Sequence, residues 1–332
     1  MKYLRKSLVV SLSILLSVNV LAQPSLTDEE LEYWTDRYLS VSYPLKKIEV
    51  NSPFGLRKDP FTGERSSHFG LDLRAAYEDV MAMFDGRIER IGYDDRSGNF
   101  VVLRHGEYTI CYCHLSKILF NEGDTIFAGE VVSVSGNTGR STGPHLHITA
   151  RRKGVLIDPN GLLQYVRSIR EECVKALAVE PTVPTGKKDF FEFYANVAME
   201  HQRRYGIPSS VTLSQMALES DYGNSALARN GKNFFGIKAG NKWEGAKSWH
   251  DDDVPGYFRN YNTVWESVDD HSHLLMTSRY KQCRQYSSQD YHNWLVEIKR
   301  AGYASAKDYV QCCEGIIKKY KLYLYDQMAL NL

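Results

Sequence analysis

Beyond its first 22 residues this 332-residue chain has no apolar run near the ~20 residues that cross a bilayer. Nothing in the body of the sequence therefore holds it in a membrane. Internal repeats and low-complexity tracts are also missing, which sets aside solenoids and disordered scaffolds. Neither sign of charge is in excess, with 41 Lys and Arg against 40 Asp and Glu, so the basic surplus that nucleic acid asks for is lacking. Cysteine is sparse. Six residues in a chain long enough to bury its own cores are not a disulfide scaffold. Cys312 and Cys313 are neighbours, either of which can reach Cys283, and Cys111 and Cys113 can pair or stay free; spacing alone does not give the connectivity.

The N-terminus reads as an export signal over residues 1–22. Lys2, Arg5 and Lys6 precede an apolar run from Leu8 to Val20, and Val20 with Ala22 forms a small-residue cleavage pattern before Gln23. At about 13 residues the run is short of a membrane span. No cysteine follows it, which counts against a lipid-modified N-terminus. Removing the three basic residues from the 41 leaves 38 against 40 acidic ones, a net of −2. The mature chain is expected outside the inner membrane, in the periplasm or cell envelope.

Texture divides the rest. Residues 24–44 are a short helical lead-in with Tyr and Trp anchors. From 45 to 162 short β-rich runs alternate with Gly, Asn and Asp turns, and no helical period appears between 75 and 155, which predicts an antiparallel or barrel-like sheet. Residues 163–187 read as a connecting helix and a linker, in which Pro181 and Pro184 cannot continue the helix. From 188 to 332 the period is helical, beginning with the stripe Phe190, Phe191, Tyr194, Val197 and Ala198. The fold class is thus multidomain, β-rich and then all-α. Ser209 or Ser210 is the expected cap of one helix.

Two clusters carry chemistry. In the first half, His68 and Asp72 stand four residues apart with Gly70 between them, and His145 and His147 follow the turn Asn137–Pro144. If both segments are extended, His68, Gly70 and Asp72 share one face, as do His145 and His147, and Gly70 leaves room for a metal. A catalytic zinc needs three protein ligands, which frees a histidine to move protons. Each piece alone is weak; the combination is specific. A Cys-Cys-His site at Cys111, Cys113 and His114 is disfavoured, because in a strand the two cysteines face away from His114.

Residues 52–162 resemble the lysostaphin-type zinc endopeptidases that cut peptidoglycan cross-links. The matching stretches are Ser52-Pro-Phe-Gly-Leu-Arg57, His68-x3-Asp72, His114-Leu115 and Ser135 to His147. The resemblance implies that His68, Asp72 and His147 bind Zn2+. It also implies that His114 and His145 act on the attacking water and on the developing oxyanion. Arg140 and the Gly-rich turn either hold an acidic stem peptide or form a plain turn.

In the second half, Glu219 ends an apolar helix, where a carboxyl group can have its pKa raised and so serve as a glycosidic general acid. Residues 188–325 resemble the glucosaminidase family with a lysozyme-like helical fold, through Ala217-Leu-Glu-Ser220, Ala228 to Lys238, Tyr257 to Tyr261, His271, Ser278-Arg-Tyr280 and Ala301-Gly-Tyr-Ala304. By that resemblance Glu219 is the general acid and Tyr303 lines the cleft. A second carboxylate is sought among Asp251, Asp252 and Asp253, with Asp252 preferred. Trp243, Trp249, Tyr222 and Phe235 are candidate sugar-stacking groups or core.

Together these features predict an exported bifunctional peptidoglycan hydrolase, acting on stem peptides with Zn2+ and on glycan strands with carboxylates. Two rivals stay open. One domain is catalytically silent and only docks on the wall, or the chain is a wall-opening part of an envelope-spanning machine. The aromatic lead-in, residues 24–50, is expected to occlude the zinc cleft.

Overall fold

The computed structural model describes residues 26–59, 62–178, 186–241, 243–250 and 255–331. The expected signal at 1–22, the linker prolines Pro181 and Pro184, and the aspartates at 251–253 lie outside the described residues. Among the described residues no helix is long and apolar enough to cross a membrane.

The chain opens with α1 (Asp28–Leu39), started by a capping box in which Thr27 and Glu30 satisfy each other's backbone N–H groups. Thirteen short strands follow: β1 (Val50–Ser52), β2 (Gly55–Lys58), β3 (Arg65–His68), β4 (Leu71–Arg74), β5 (Asp79–Met81), β6 (Gly86–Asp94), β7 (Gly98–His105), β8 (Tyr108–Leu115), β9 (Lys117–Ile118), β10 (Thr125–Ile126), β11 (Val131–Val134), β12 (His145–Arg152) and β13 (Val155–Ile157). The main sheet is antiparallel in the order β1-β4-β12-β8-β7-β6-β10, with β13 on the end of β12. A second sheet, β5-β11-β9, and the hairpin β2-β3 complete this part. Period-two burial holds the layers together: Leu71 and Leu73, Val101 and Leu103, and Ile110 and Tyr112 are all buried.

The helical part comprises α2 (Asn160–Leu177), α3 (Lys187–Tyr205), α4 (Ser209–Ser220), α5 (Ala226–Gly231), α6 (Val264–Met276), α7 (Tyr291–Arg300), α8 (Tyr309–Tyr320) and α9 (Tyr323–Asn331). One hairpin, β14 (Lys247–His250) with β15 (Gly256–Arg259), interrupts it, an element the helical period did not announce. The expected cap on α4 is differently built. Pro208 occupies the cap position with an extended ψ of 131° and no side chain to offer. Ser209 and Ser210 lie inside the first turn, fully buried. Gln202 Oε1 accepts from the N–H and hydroxyl of Ser209, and the Asp326 carboxylate accepts from those of Ser210.

One continuous hydrophobic core runs through both parts. Polar contacts pin the seam. Arg204 on α3 reaches both oxygens of Asp85 at 2.9 and 3.0 Å and the Leu39 carbonyl at 3.2 Å. Tyr205 donates to the Ala128 carbonyl at 3.0 Å. The lead-in helix lies in this seam. Its Tyr38 ring sits 4.1 Å under the Arg170 guanidinium of α2, and both groups bond Asp269 on α6. Trp265 on α6 donates to Thr35 at 2.9 Å. Tyr38 of the lead-in therefore joins the helices, while Glu49 and Val50 at the end of the 24–50 segment pair with β4.

Candidate active sites

Four strand segments bring the first cluster together. His68 ends β3, Asp72 lies in β4, and His145 and His147 open β12, which pairs with β4 so that His147 stands directly opposite Asp72. His114 comes from β8, whose register with β12 sets Cys113 opposite His147. At His114 the backbone takes φ 61°, a left-handed conformation unusual for a non-glycine residue. The β7–β8 register shifts between Asn99 and Val101, so this is a bulge that re-aims a side chain. All five predicted residues thus meet.

Asp72 is the hub. Its Oδ1 lies 2.6 Å from His147 Nδ1, 3.3 Å from His68 Nε2 and 3.5 Å from His145 Nε2. Arg57 approaches its other oxygen at 3.7 Å. Burial alone would raise the Asp72 pKa, but hydrogen bonds from His145, His147 and His68 hold it far below the usual carboxylate range. Two triads offer metal-ligating atoms within 4.8 Å of one another, His68/Asp72/His147 and His114/His145/His147. The first joins two imidazoles and a carboxylate, a donor set that suits zinc.

Tautomers follow from the backbone. A carbonyl can only accept, so the ring nitrogen facing one must carry the proton. His68 Nδ1 lies 2.8 Å from the Pro53 carbonyl, His114 Nδ1 2.8 Å from that of Thr138, and His145 Nδ1 2.8 Å from that of Gly143. In the neutral ring each Nε2 then carries the lone pair, the outer-shell arrangement common at metal centres; at His68 and His145 that nitrogen also faces Asp72 Oδ1, to which it donates only when the ring is protonated. Burial pushes the His114 pKa down to about 4, which keeps that ring neutral. At His145 burial works in the same direction, yet the bonds to Asp72 and Gly143 outweigh it and the pKa rises.

Gly70 leaves room for the His147 ring. A Cβ there would lie 2.5 Å from His147 Cε1 and 2.6 Å from the Ile148 carbonyl oxygen. Arg140 is engaged by Asp59, both of whose oxygens lie 3.1 Å from its Nη2.

The second cluster lies at the end of α4. Glu219 is largely shielded by packing; burial raises its pKa, and a hydrogen bond with Tyr309 partly offsets that. The Tyr303 ring is half-buried with its hydroxyl sealed from solvent and unpartnered, and it is close enough to Glu219 to feel its charge. Tyr309 in turn accepts from Gln215 Nε2 at 2.8 Å. Sequence reasoning missed both: Gln215 stands one helical turn before Glu219, whereas Tyr309 arrives from α8 and left no local signal. Phe235 is core, stacked 3.9 Å from the buried His271 ring. Trp249 and Tyr257 are about half exposed on the β14–β15 hairpin, and Asp252 lies outside the described residues.

Known families cover both clusters. Residues 66–159 match Peptidase family M23. Residues 195–322 match the glucosaminidase family, mannosyl-glycoprotein endo-beta-N-acetylglucosaminidase. An uncharacterized metalloprotease of Haemophilus influenzae is 43% identical over 122 residues, covering 35% of this chain and 26% of its own. The DD-carboxypeptidase/endopeptidase Mpg of Neisseria meningitidis is 41% identical over 119 residues, 35% of this chain and 27% of that one. The exo-glucosaminidase LytG of Bacillus subtilis is 32% identical over 140 residues, 39% of this chain and 50% of that one. The chain therefore spans between a quarter and a half of the length of these relatives.

Proposed function

We propose that this chain, which carries an M23 peptidase domain followed by a glucosaminidase domain, is a two-site peptidoglycan hydrolase acting outside the inner membrane. The observation that carries the reading is the convergence of His68, His145 and His147 on one oxygen of Asp72, with the His114 ring packed against those of His145 and His147. His68, Asp72 and His147 would hold Zn2+, which supplies a Lewis acid for a peptide carbonyl and lowers the pKa of water.

The chain's own groups then divide the proton work. His114, neutral and protonated on Nδ1 by the Thr138 carbonyl, presents Nε2 as a base toward the attacking water. His145, whose pKa is raised, donates from Nε2 to the oxygen of the tetrahedral intermediate. The Pro53 and Gly143 carbonyls fix the rings, so little reorganisation accompanies the reaction.

In the helical domain Glu219, whose pKa burial raises, gives its proton to the glycosidic oxygen. Tyr303 lines the cleft, and a carboxylate of the 251–253 run, with Asp252 preferred, stabilises the sugar cation. Trp249 and Tyr257 offer exposed aromatic faces to the glycan. An export signal at 1–22 delivers the chain to the envelope.

Mass spectrometry of fragments released from purified sacculi tests this directly. New peptide ends that vanish on zinc chelation, beside N-acetylglucosamine reducing ends that persist, are expected. Absence of either product class would remove the corresponding domain from the hydrolases and leave it a wall-docking role.

A further inference from the structure

Cys111 and Cys113 stand beside the first site, and the proposed chemistry leaves them unused. Side chains two residues apart on a regular strand share a face but sit roughly 6.6 Å apart, twice the rise per residue. Here the two sulfur atoms are 3.5 Å apart, and both residues are free thiols. The bulge at His114 and the register shift between Asn99 and Val101 lie at the Cys113 end of this pair, while the ladder to β12 stays regular through both cysteines. A disulfide needs about 2.05 Å between sulfurs, so closure requires the pair to approach by about 1.5 Å.

That movement would not stay local. Cys113 is 3% exposed and bonded directly to His114, and it stands opposite His147 in the ladder. The His114 amide donates to the Ser97 carbonyl at 2.8 Å, and its ring donates to the Thr138 carbonyl. Gly98, at φ 62°, lies so close to Thr138 that a Cβ there would come within 2.3 Å of its hydroxyl. His114 is therefore held by one tight cluster of turn backbone, and drawing Cys113 toward Cys111 pulls on that cluster.

We propose that Cys111 and Cys113 form a reversible thiol–disulfide couple which, when oxidised, displaces His114 and silences the metal site; this rests on the peptidase reading above. The oxidant is a small-molecule or protein disulfide. The half-buried Cys111 attacks one of its sulfurs as the thiolate and releases one thiol, and Cys113 then displaces the second. Two protein thiols and one external disulfide become one protein disulfide and two external thiols. Two electrons pass outward, and each departing sulfur takes up a proton.

The test uses the full mature chain, incubated with oxidised glutathione or with a phosphine reductant and then desalted. Peptide mapping after alkylation should show Cys111 and Cys113 linked within one peptide. Release of peptide ends from sacculi should fall at least fivefold and recover on reduction, while release of glycan ends, the internal reference, stays constant. Cys111→Ser and Cys113→Ser should keep the reduced-state activity and lose the sensitivity. Both cysteines alkylated after oxidation, a glutathione adduct that never closes, or a closed disulfide with unchanged peptide release would each overturn the proposal. If even the reduced protein releases no peptide ends, the peptidase reading fails. The couple is then judged by the disulfide map and by the His114 ring resonances in an NMR spectrum, whose indifference to oxidation overturns it.

Discussion

Gly70→Ala is the sharpest perturbation of the metal site, because it adds one methyl group without replacing a ligand. No left-handed φ is needed at Gly70, so the backbone tolerates alanine and the effect is purely steric. The added carbon would sit 2.5 Å from Cε1 and 2.6 Å from Nε2 of His147, and 2.6 Å from the Ile148 carbonyl. Reaching an ordinary contact of 3.4 Å requires about 0.9 Å of movement from the ring or from the β4–β12 ladder. Metal ligands are placed to within roughly 0.2 Å, so a shift of that size removes His147 from a workable position. Disturbing an outer-shell partner costs 10–100-fold in metal affinity, and displacing a ligand should cost at least ~100-fold. Overpacking adds about 1–3 kcal/mol of destabilisation. Zinc titration, thermal unfolding and the fragment assay read the three consequences separately. The variant should fold, bind zinc weakly and release no peptide ends while still releasing glycan ends. Gly143→Ala, where a Cβ meets nothing within 4 Å, is the control and should behave as wild type. A Gly70→Ala protein that holds one zinc with undiminished affinity and still cuts peptides would refute the steric argument and the assignment of His147.

Five other outcomes are expected. Glu219→Gln should lower glycan cleavage at least ~100-fold with peptide release unchanged; Tyr309→Phe, which removes the bond that lowers the Glu219 pKa, should move the basic limb of the glycan pH profile upward. Glu130 lines a cavity of about 340 Å³ between the two halves with Tyr205 and Arg284. Burial lifts its pKa from the usual 4.5 to about 7, so the folded state holds the proton more tightly than the unfolded chain. Its favourable contribution, at most about 3 kcal/mol, is complete below pH 4.5 and lost as pH rises through 7. Glu130→Gln should therefore flatten the fall of Tm between pH 5 and 8, and an unchanged slope in thermal scans would contradict this. Asp85→Asn leaves the buried Arg204 with Glu200 as its remaining carboxylate partner and should cost roughly 1–3 kcal/mol. Because one core spans both parts, calorimetry should record a single transition that moves as a whole, and two separable transitions would argue against a shared core.

Much of both sites was legible in the chain. His68, Asp72, His145 and His147 could be read because ligand chemistry restricts residue type and period-two geometry restricts spacing. Glu219 was marked by an acid at the end of an otherwise apolar helix. Residues that act from a distance were not legible. The Thr138 carbonyl on His114, and Tyr309 beside Glu219, are contacts across 24 and 90 positions, and nothing local records them. The cap of α4 failed for the same reason: Gln202 and Asp326 took a role that sequence assigns to the nearest serine.

Sequence by itself determined the division into a β-rich and a helical part and offered His68, Asp72, His145, His147 and Glu219 as candidate site residues, because periodicity and donor chemistry are local properties. Tertiary structure alone decided that the two parts share one core, and that Tyr38 and Thr35 of the lead-in join the helices. It also decided that Gly70 accommodates the His147 ring, and that two thiols stand 3.5 Å apart beside the bulge that carries His114. Each of these depends on which strand or helix arrives beside another. That is fixed by long-range packing, which no spacing along the chain encodes.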